Sequence, residues 1–187
     1  MGRKLPKVLS PDEQRRLLSQ FTYRYDSSLR NACIVRIMLD TGLRAGEVVA
    51  LRPEHLDMRT CKLIVREGKG AKDRTLWMKS QLRDLIGKWL ERRVDSCWLF
   101  PTRSGKKLST RYLRQMIKTY AAKARIAELK KVSPHTLRHT FATDLYRETN
   151  NIRLVQKALG HSDLSTTMLY THIVDDELEG ALKSFRG

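Results

Sequence analysis

Ser-Pro occurs twice in this chain, at Ser10-Pro11 and Ser133-Pro134, and each pair opens a helix. A serine hydroxyl satisfies a free N–H of the first turn, and proline, with no N–H to lose, suits the first helical position. The first pair runs into "DEQRRLL", with acids in the first turn, so residues 1–9 read as a short basic tail. The second runs into "HTLRHTFATDL". On a helix Leu137, Phe141 and Leu145 share an arc that must enter a core, while His135, Arg138 and His139 share the neighbouring arc at its edge.

Other segments follow the same logic. Residues 28–41 carry Ile34, Ile37, Met38 and Leu39, and Gly42 stands where a helix C-cap glycine belongs. A second helix, about 44–51, begins with Arg44. "CKLIVRE" (61–67) and "RTLWM" (74–78) are short β-rich runs around "GKGAKD", the pattern of a hairpin with Lys69 near its tip. Ser109 caps a helix to about Ile126, with Leu113, Met116, Ile117, Tyr120 and Ala124 as its apolar stripe and Arg111, Arg114, Lys118 and Arg125 on the other side. A last amphipathic stretch, 175–186, spaces Leu178, Ala181, Leu182 and Phe185 helically. The expected fold is mainly α with a small antiparallel β-sheet (α+β), one domain over 10–187.

Charge narrows the partner. Lys and Arg number 37 against 20 Asp and Glu, a formal charge of +17, which predicts an anionic partner met through long-range attraction, nucleic acid first. Residues 103–131 hold ten of these bases and one acid, Glu128, so Arg111, Arg114, Lys118 and Arg125 are expected to contact DNA backbone. No apolar run long enough for a membrane span or a signal peptide occurs, and a cytoplasmic protein is expected. Cys33, Cys61 and Cys97 are odd in number and widely spaced, which speaks against a disulfide framework or zinc ribbon; they read as core or half-buried thiols.

His135 and His139 have the i, i+4 spacing of a zinc pair, but Thr136 stands where the helical metalloprotease motif has glutamate, and no third ligand suggests itself. No metal and no cofactor are expected. "GKGAKD" lacks the spacing of a nucleotide-binding P-loop. Arg138 needs an anion under any reading.

Four segments, "TGLRAGEV" (41–48), "GKGAKDR" (68–74), "HTLRHTFAT" (135–143) and "LGHSDLSTTMLYTH" (159–172), resemble the motifs of the tyrosine recombinases, or phage-type integrases, in the family's order and separations. The resemblance covers nearly the whole chain from residue 10. It implies that Tyr170 is the nucleophile, attacking a DNA phosphate to give a 3′-phosphotyrosine and a free 5′-hydroxyl. Arg44 and Arg138 would clamp the phosphate, Lys69 would protonate the departing 5′-oxygen, and His135 and His161 would complete the pocket. Glu47 and His139 match supporting positions.

Physical demands agree with these assignments. The pentacoordinate transition state gathers charge on its non-bridging oxygens, which rigid, permanently charged guanidiniums suit. A phenol with pKa near 10 needs a proton acceptor and an alkoxide leaving group needs a donor, roles open to His135 and Lys69. A covalent intermediate that keeps the ester's energy can rejoin to a new 5′-hydroxyl without ATP or metal.

Most members of the resembled family carry an N-terminal DNA-clamping domain, and about ten residues precede the first helix here, so the chain is expected to be a catalytic fragment or a short member. The family's post-tyrosine segment docks on a neighbour, so 174–187 is expected to swap in a tetramer on paired double-stranded DNA sites and to fold back in a DNA-free monomer. Light scattering that finds a DNA-free tetramer would contradict this. The alternatives are a type IB topoisomerase-like relaxing enzyme and a DNA-binding regulator without catalysis.

Overall fold

The computed structural model describes residues 6–66, 73–161, 167–171 and 173–174. Seven α-helices, two one-turn 3-10 helices (Pro53–His55 and Leu129–Lys131) and a three-stranded sheet form among the described residues. Helices α1 (Pro11–Leu18), α2 (Asp26–Thr41) and α3 (Ala45–Ala50) lead into strands β1 (Leu56–Asp57), β2 (Lys62–Val65) and β3 (Arg74–Trp77). Helices α4 (Ser80–Arg92), α5 (Thr110–Lys123), α6 (Pro134–Thr149) and α7 (Ile152–Leu159) follow.

Helix α2 is buried on nearly every side: residues 32–39 are apolar except for Arg36, the buried Arg30 donates to the Pro101 carbonyl and Tyr112 Oη, and α4 and α6 pack against the helix. Gly42 ends it in the left-handed region at φ 66°, as the sequence predicts. The two strands predicted around the hairpin pair antiparallel, Leu63 opposite Leu76 facing inward, and β1 adds a two-residue edge that periodicity could not show.

At the second Ser-Pro start the Ser133 side chain makes no cap hydrogen bond, and its backbone N–H donates to Thr136 Oγ1 at 3.1 Å; the first behaves as expected. Ser10 Oγ accepts from the Glu13 N–H at 3.2 Å while the Glu13 carboxylate accepts from the Ser10 N–H at 3.0 Å. The residues just before α1 are held down: Lys7 pairs with Glu13 at 3.0 Å, and the buried Leu9 donates its N–H to Thr140 Oγ1 at 2.9 Å.

Two apolar clusters result. The larger surrounds α2; the smaller gathers Ala142, Val155, Leu159, Tyr170 and Ile173, with Phe141 and Leu145 against it. The arc of α6 that was expected to enter a core therefore does so across both.

Two expectations need correction, and two more fall on residues outside the description. Helix α5 stops at Lys123, not Ile126, because Arg125 takes a left-handed φ of 51°; Arg125 lies beyond the helix, while Arg111, Arg114 and Lys118 are exposed along it. Cys97 is exposed rather than half-buried, and all three cysteines are free thiols. Lys69 and the 175–186 stretch lie outside the described residues.

Candidate active site

The site lies where the two clusters meet, and Arg138 is its centre. The residue is 5% exposed. Nη1 donates to the Gly42 carbonyl at 2.7 Å and Nη2 to the Leu159 carbonyl at 2.8 Å, which ties α6 to the ends of α2 and α7. These carbonyls are among those that helix ends leave without intrahelical partners, and the negative ends of two helix dipoles suit a cation. Burial, then the neighbouring Arg44 charge, pushes the Arg138 guanidinium down to about 10, so it stays charged at neutral pH.

His161 follows from Arg138. Arginine can only donate, so His161 Nε2, 3.0 Å from Arg138 Nη2, must accept; the proton is on Nδ1, which donates to the buried Thr167 Oγ1 at 3.0 Å. His161 is thus neutral here and orients Arg138. Burial, then the Arg138 charge, pushes its imidazole down to about 4.

Tyr170 sits in the helical residues 169–171 and is 1% exposed. Its hydroxyl lies 3.1 Å from His139 Nδ1. Burial raises the phenol above its ordinary value, against the pull of the Arg138 charge, so at rest it is a neutral phenol within electrostatic reach of that guanidinium. His135, one turn before His139 on α6, is exposed; the tyrosine meets His139 rather than the histidine expected to take its proton.

Arg44 stands at the start of α3, near enough for its charge to act on Arg138, and its side chain is 41% exposed, open to an incoming anion. Its Nη1 donates to Glu47 Oε1 at 3.0 Å and its backbone N–H to Glu47 Oε2 at 2.7 Å. Among the described residues, no group of three or more His, Cys, Asp or Glu side chains gathers in a way that could hold a metal ion. No helix there is long and apolar enough to cross a membrane.

The sequence matches the Phage integrase family over residues 7–177. The chain belongs to that family. Among phage integrase relatives, the tyrosine recombinase XerA of Thermococcus kodakarensis is 40% identical over 183 residues, covering 96% of this chain and 62% of that protein. The crystal structure of XerA recombinase superposes with a TM-score of 0.83 at 34% identity, covering all of this chain and 67% of that one. XerH bound to a palindromic difH substrate in a post-cleavage complex gives 0.84 at 30%, covering 98% of this chain and 54% of that one. This phage integrase chain thus spans about three fifths of the length of its curated relative. Its mainly helical fold with a small antiparallel sheet is that of tyrosine recombinase catalytic domains.

Sequence reasoning missed two residues of this integrase site. Thr167 fixes the His161 tautomer, and Arg74 grips Glu47 through Nη1 at 3.0 Å and Nη2 at 2.9 Å. Arg74 closes the "GKGAKDR" motif, but nothing in that motif points to a carboxylate on α3.

The two neutral histidines predict a pH dependence. Burial, then the His135 and Arg138 charges, pushes His139 down to about 4, like His161, while an unfolded imidazole titrates near 6.5. The unfolded chain takes up protons that the folded chain refuses. Their stabilisation is complete above pH 6.5 and is lost as pH falls towards 4. Urea unfolding should show a lower midpoint at pH 5 than at pH 7; an unchanged midpoint would contradict the neutral assignment.

Proposed function

We propose that this chain carries the catalytic apparatus of a site-specific DNA recombinase, which cuts and rejoins strands through a 3′-phosphotyrosine at Tyr170, without metal or ATP. One observation carries the reading: Arg138 is held by carbonyls from two other motifs, with the Tyr170 hydroxyl beside the adjacent His139 and within reach of its charge.

The scissile phosphate places its non-bridging oxygens against Arg44 and Arg138, whose charges meet the negative charge that builds in the transition state. Tyr170 Oη forms a bond to phosphorus as the bond to the 5′-oxygen breaks. The phenolic proton passes to a histidine of the α6 face, His139 holding the hydroxyl at rest and His135 lying one turn away. The 5′-oxygen takes a proton from Lys69, the donor that the resemblance implies. Reversal with a different 5′-hydroxyl joins new strands.

Because Tyr170 is covered at rest, its hydroxyl must leave His139 before it can attack, so the isolated chain is held in an uncommitted state. The formal charge of +17 and the exposed Arg111, Arg114 and Lys118 supply a surface for DNA backbone, on α5, which packs against α3 and α6. The partner is double-stranded DNA in the cytoplasm, with a tetramer forming on paired sites.

Relaxation of supercoiled plasmid in excess chelator tests this. Activity should persist, and Tyr170→Phe should abolish covalent attachment while DNA affinity stays within about twofold, since one buried hydroxyl adds little to a backbone-dominated contact. Loss of activity on chelation would point to a nuclease. Equal loss of attachment and affinity would make Tyr170 structural.

A further inference from the structure

Arg74 takes no part in the reaction just described, yet its fork meets both oxygens of Glu47. The carboxylate lies between two guanidiniums: Oε1 accepts from Arg44 Nη1 and Arg74 Nη1, both at 3.0 Å, and Oε2 accepts from the Arg44 N–H at 2.7 Å and Arg74 Nη2 at 2.9 Å. The side chains of Arg74 and Glu47 are 8% and 13% exposed, against 41% for Arg44. Only Arg44 of the three is open to an incoming anion.

Arg74 is itself anchored. Its Nε donates to the Ala158 carbonyl at 3.1 Å, and the next carbonyl, that of Leu159, holds Arg138. The last turn of α7 therefore seats both buried arginines through carbonyls that a helix end leaves free. The Arg74 charge reaches the pocket, where it opposes protonation of both Arg138 and His161.

Charge counting gives this arrangement a consequence. Arg44 and Glu47 alone make a neutral pair, and a phosphate approaching it would meet a guanidinium already cancelled by a carboxylate at hydrogen-bond distance. With Arg74 the triad carries a net positive charge. The bidentate fork, the strongest geometry between arginine and carboxylate, draws the carboxylate charge to the buried side. We propose that Arg74 is a positioning residue that keeps Glu47 from neutralising Arg44, so that Arg44 meets the scissile phosphate with its charge intact. The inference rests on the reading of Arg44 as part of a phosphate clamp.

The test is single-turnover cleavage of a nicked duplex bearing either a normal phosphate or a neutral methylphosphonate at the scissile position. Arg74→Gln should slow cleavage of the phosphate by about 10- to 100-fold, a fraction of what losing a direct donor costs. It should slow the methylphosphonate by less than about threefold, because that substrate brings less charge to neutralise. Adding Glu47→Gln should recover at least about tenfold of the loss on phosphate, because Arg44 regains its charge; two structural defects would not cancel in this way. Arg74→Lys, which keeps the charge, should retain the wild-type ratio of the two substrates, and it decides the matter if Arg74→Gln does not fold. Parallel losses on both substrates, a double variant no faster than Arg74→Gln, or an Arg74→Lys ratio that falls as far as that of Arg74→Gln would overturn the inference while leaving the clamp standing. A wild-type chain that forms no adduct would refute the clamp reading and the inference with it.

Discussion

Gly42→Ala should cost about 2–5 kcal/mol of stability, the sum of a left-handed residue that now carries a Cβ and an overpacked contact. At φ 66° the added Cβ would stand 2.3 Å from Phe141 Cδ1 and 3.0 Å from Leu159 Cδ2, so the ring or the backbone has to shift. The effect extends to the site, because the Gly42 carbonyl is one of the two that hold Arg138. Urea unfolding at pH 7 measures the loss. A second substitution, Phe141→Leu, should recover the steric part and leave the backbone part. A change below about 0.5 kcal/mol would mean that Gly42 tolerates a side chain and that the close approach of α2 to α6 is not needed.

Arg138→Lys should slow strand cleavage by about 10²- to 10³-fold, the range seen when one preorganised transition-state donor is lost. A lysine keeps the charge but not the fork: one ammonium cannot bond the Gly42 and Leu159 carbonyls, orient His161 and still face a phosphate. One or both carbonyls would lose a partner, adding about 1–3 kcal/mol of destabilisation where no water replaces it. Single-turnover cleavage and urea unfolding separate the two losses. A lysine variant with near wild-type cleavage would show that charge alone suffices at this position and that the carbonyl seat is incidental.

What could be read from the chain in advance was local. Ser10-Pro11, Ser109 and Ser133-Pro134 mark helix starts through bonds within one turn, and Gly42 marks a helix end through its own backbone, so α1, α2, α5 and α6 were legible. The hairpin was legible from two β-rich runs around a glycine-bearing loop. Strand β1 was not, because two residues carry no period and owe their pairing to β2. The overlong expectation for α5 came from an apolar stripe that continues to Ala124 and Ile126 although the backbone turns away at Arg125.

The site divides in the same way. Arg44, His135, Arg138, His161 and Tyr170 are candidates that the motifs supply, because residue type and spacing travel with a motif; of the α6 histidines it is His139, not His135, that meets Tyr170. The motifs do not supply their partners. Arg74 reaches Glu47 from another element, Thr167 selects a tautomer of His161, and Tyr170 turns from the open edge to His139 because Ala142, Val155, Leu159 and Ile173 form a cluster around it. Each contact joins residues that the fold, and not the chain order, makes neighbours.

The most direct measurement is the identity of the residue that becomes attached to DNA. The chain would be incubated in chelator with a nicked duplex that loses its 5′-hydroxyl fragment on cleavage, digested with protease and nuclease, and analysed by mass spectrometry. The account predicts one modified peptide with a nucleotide 3′-phosphate on Tyr170. Attachment at another residue, or cleavage with no attachment at all, would contradict it.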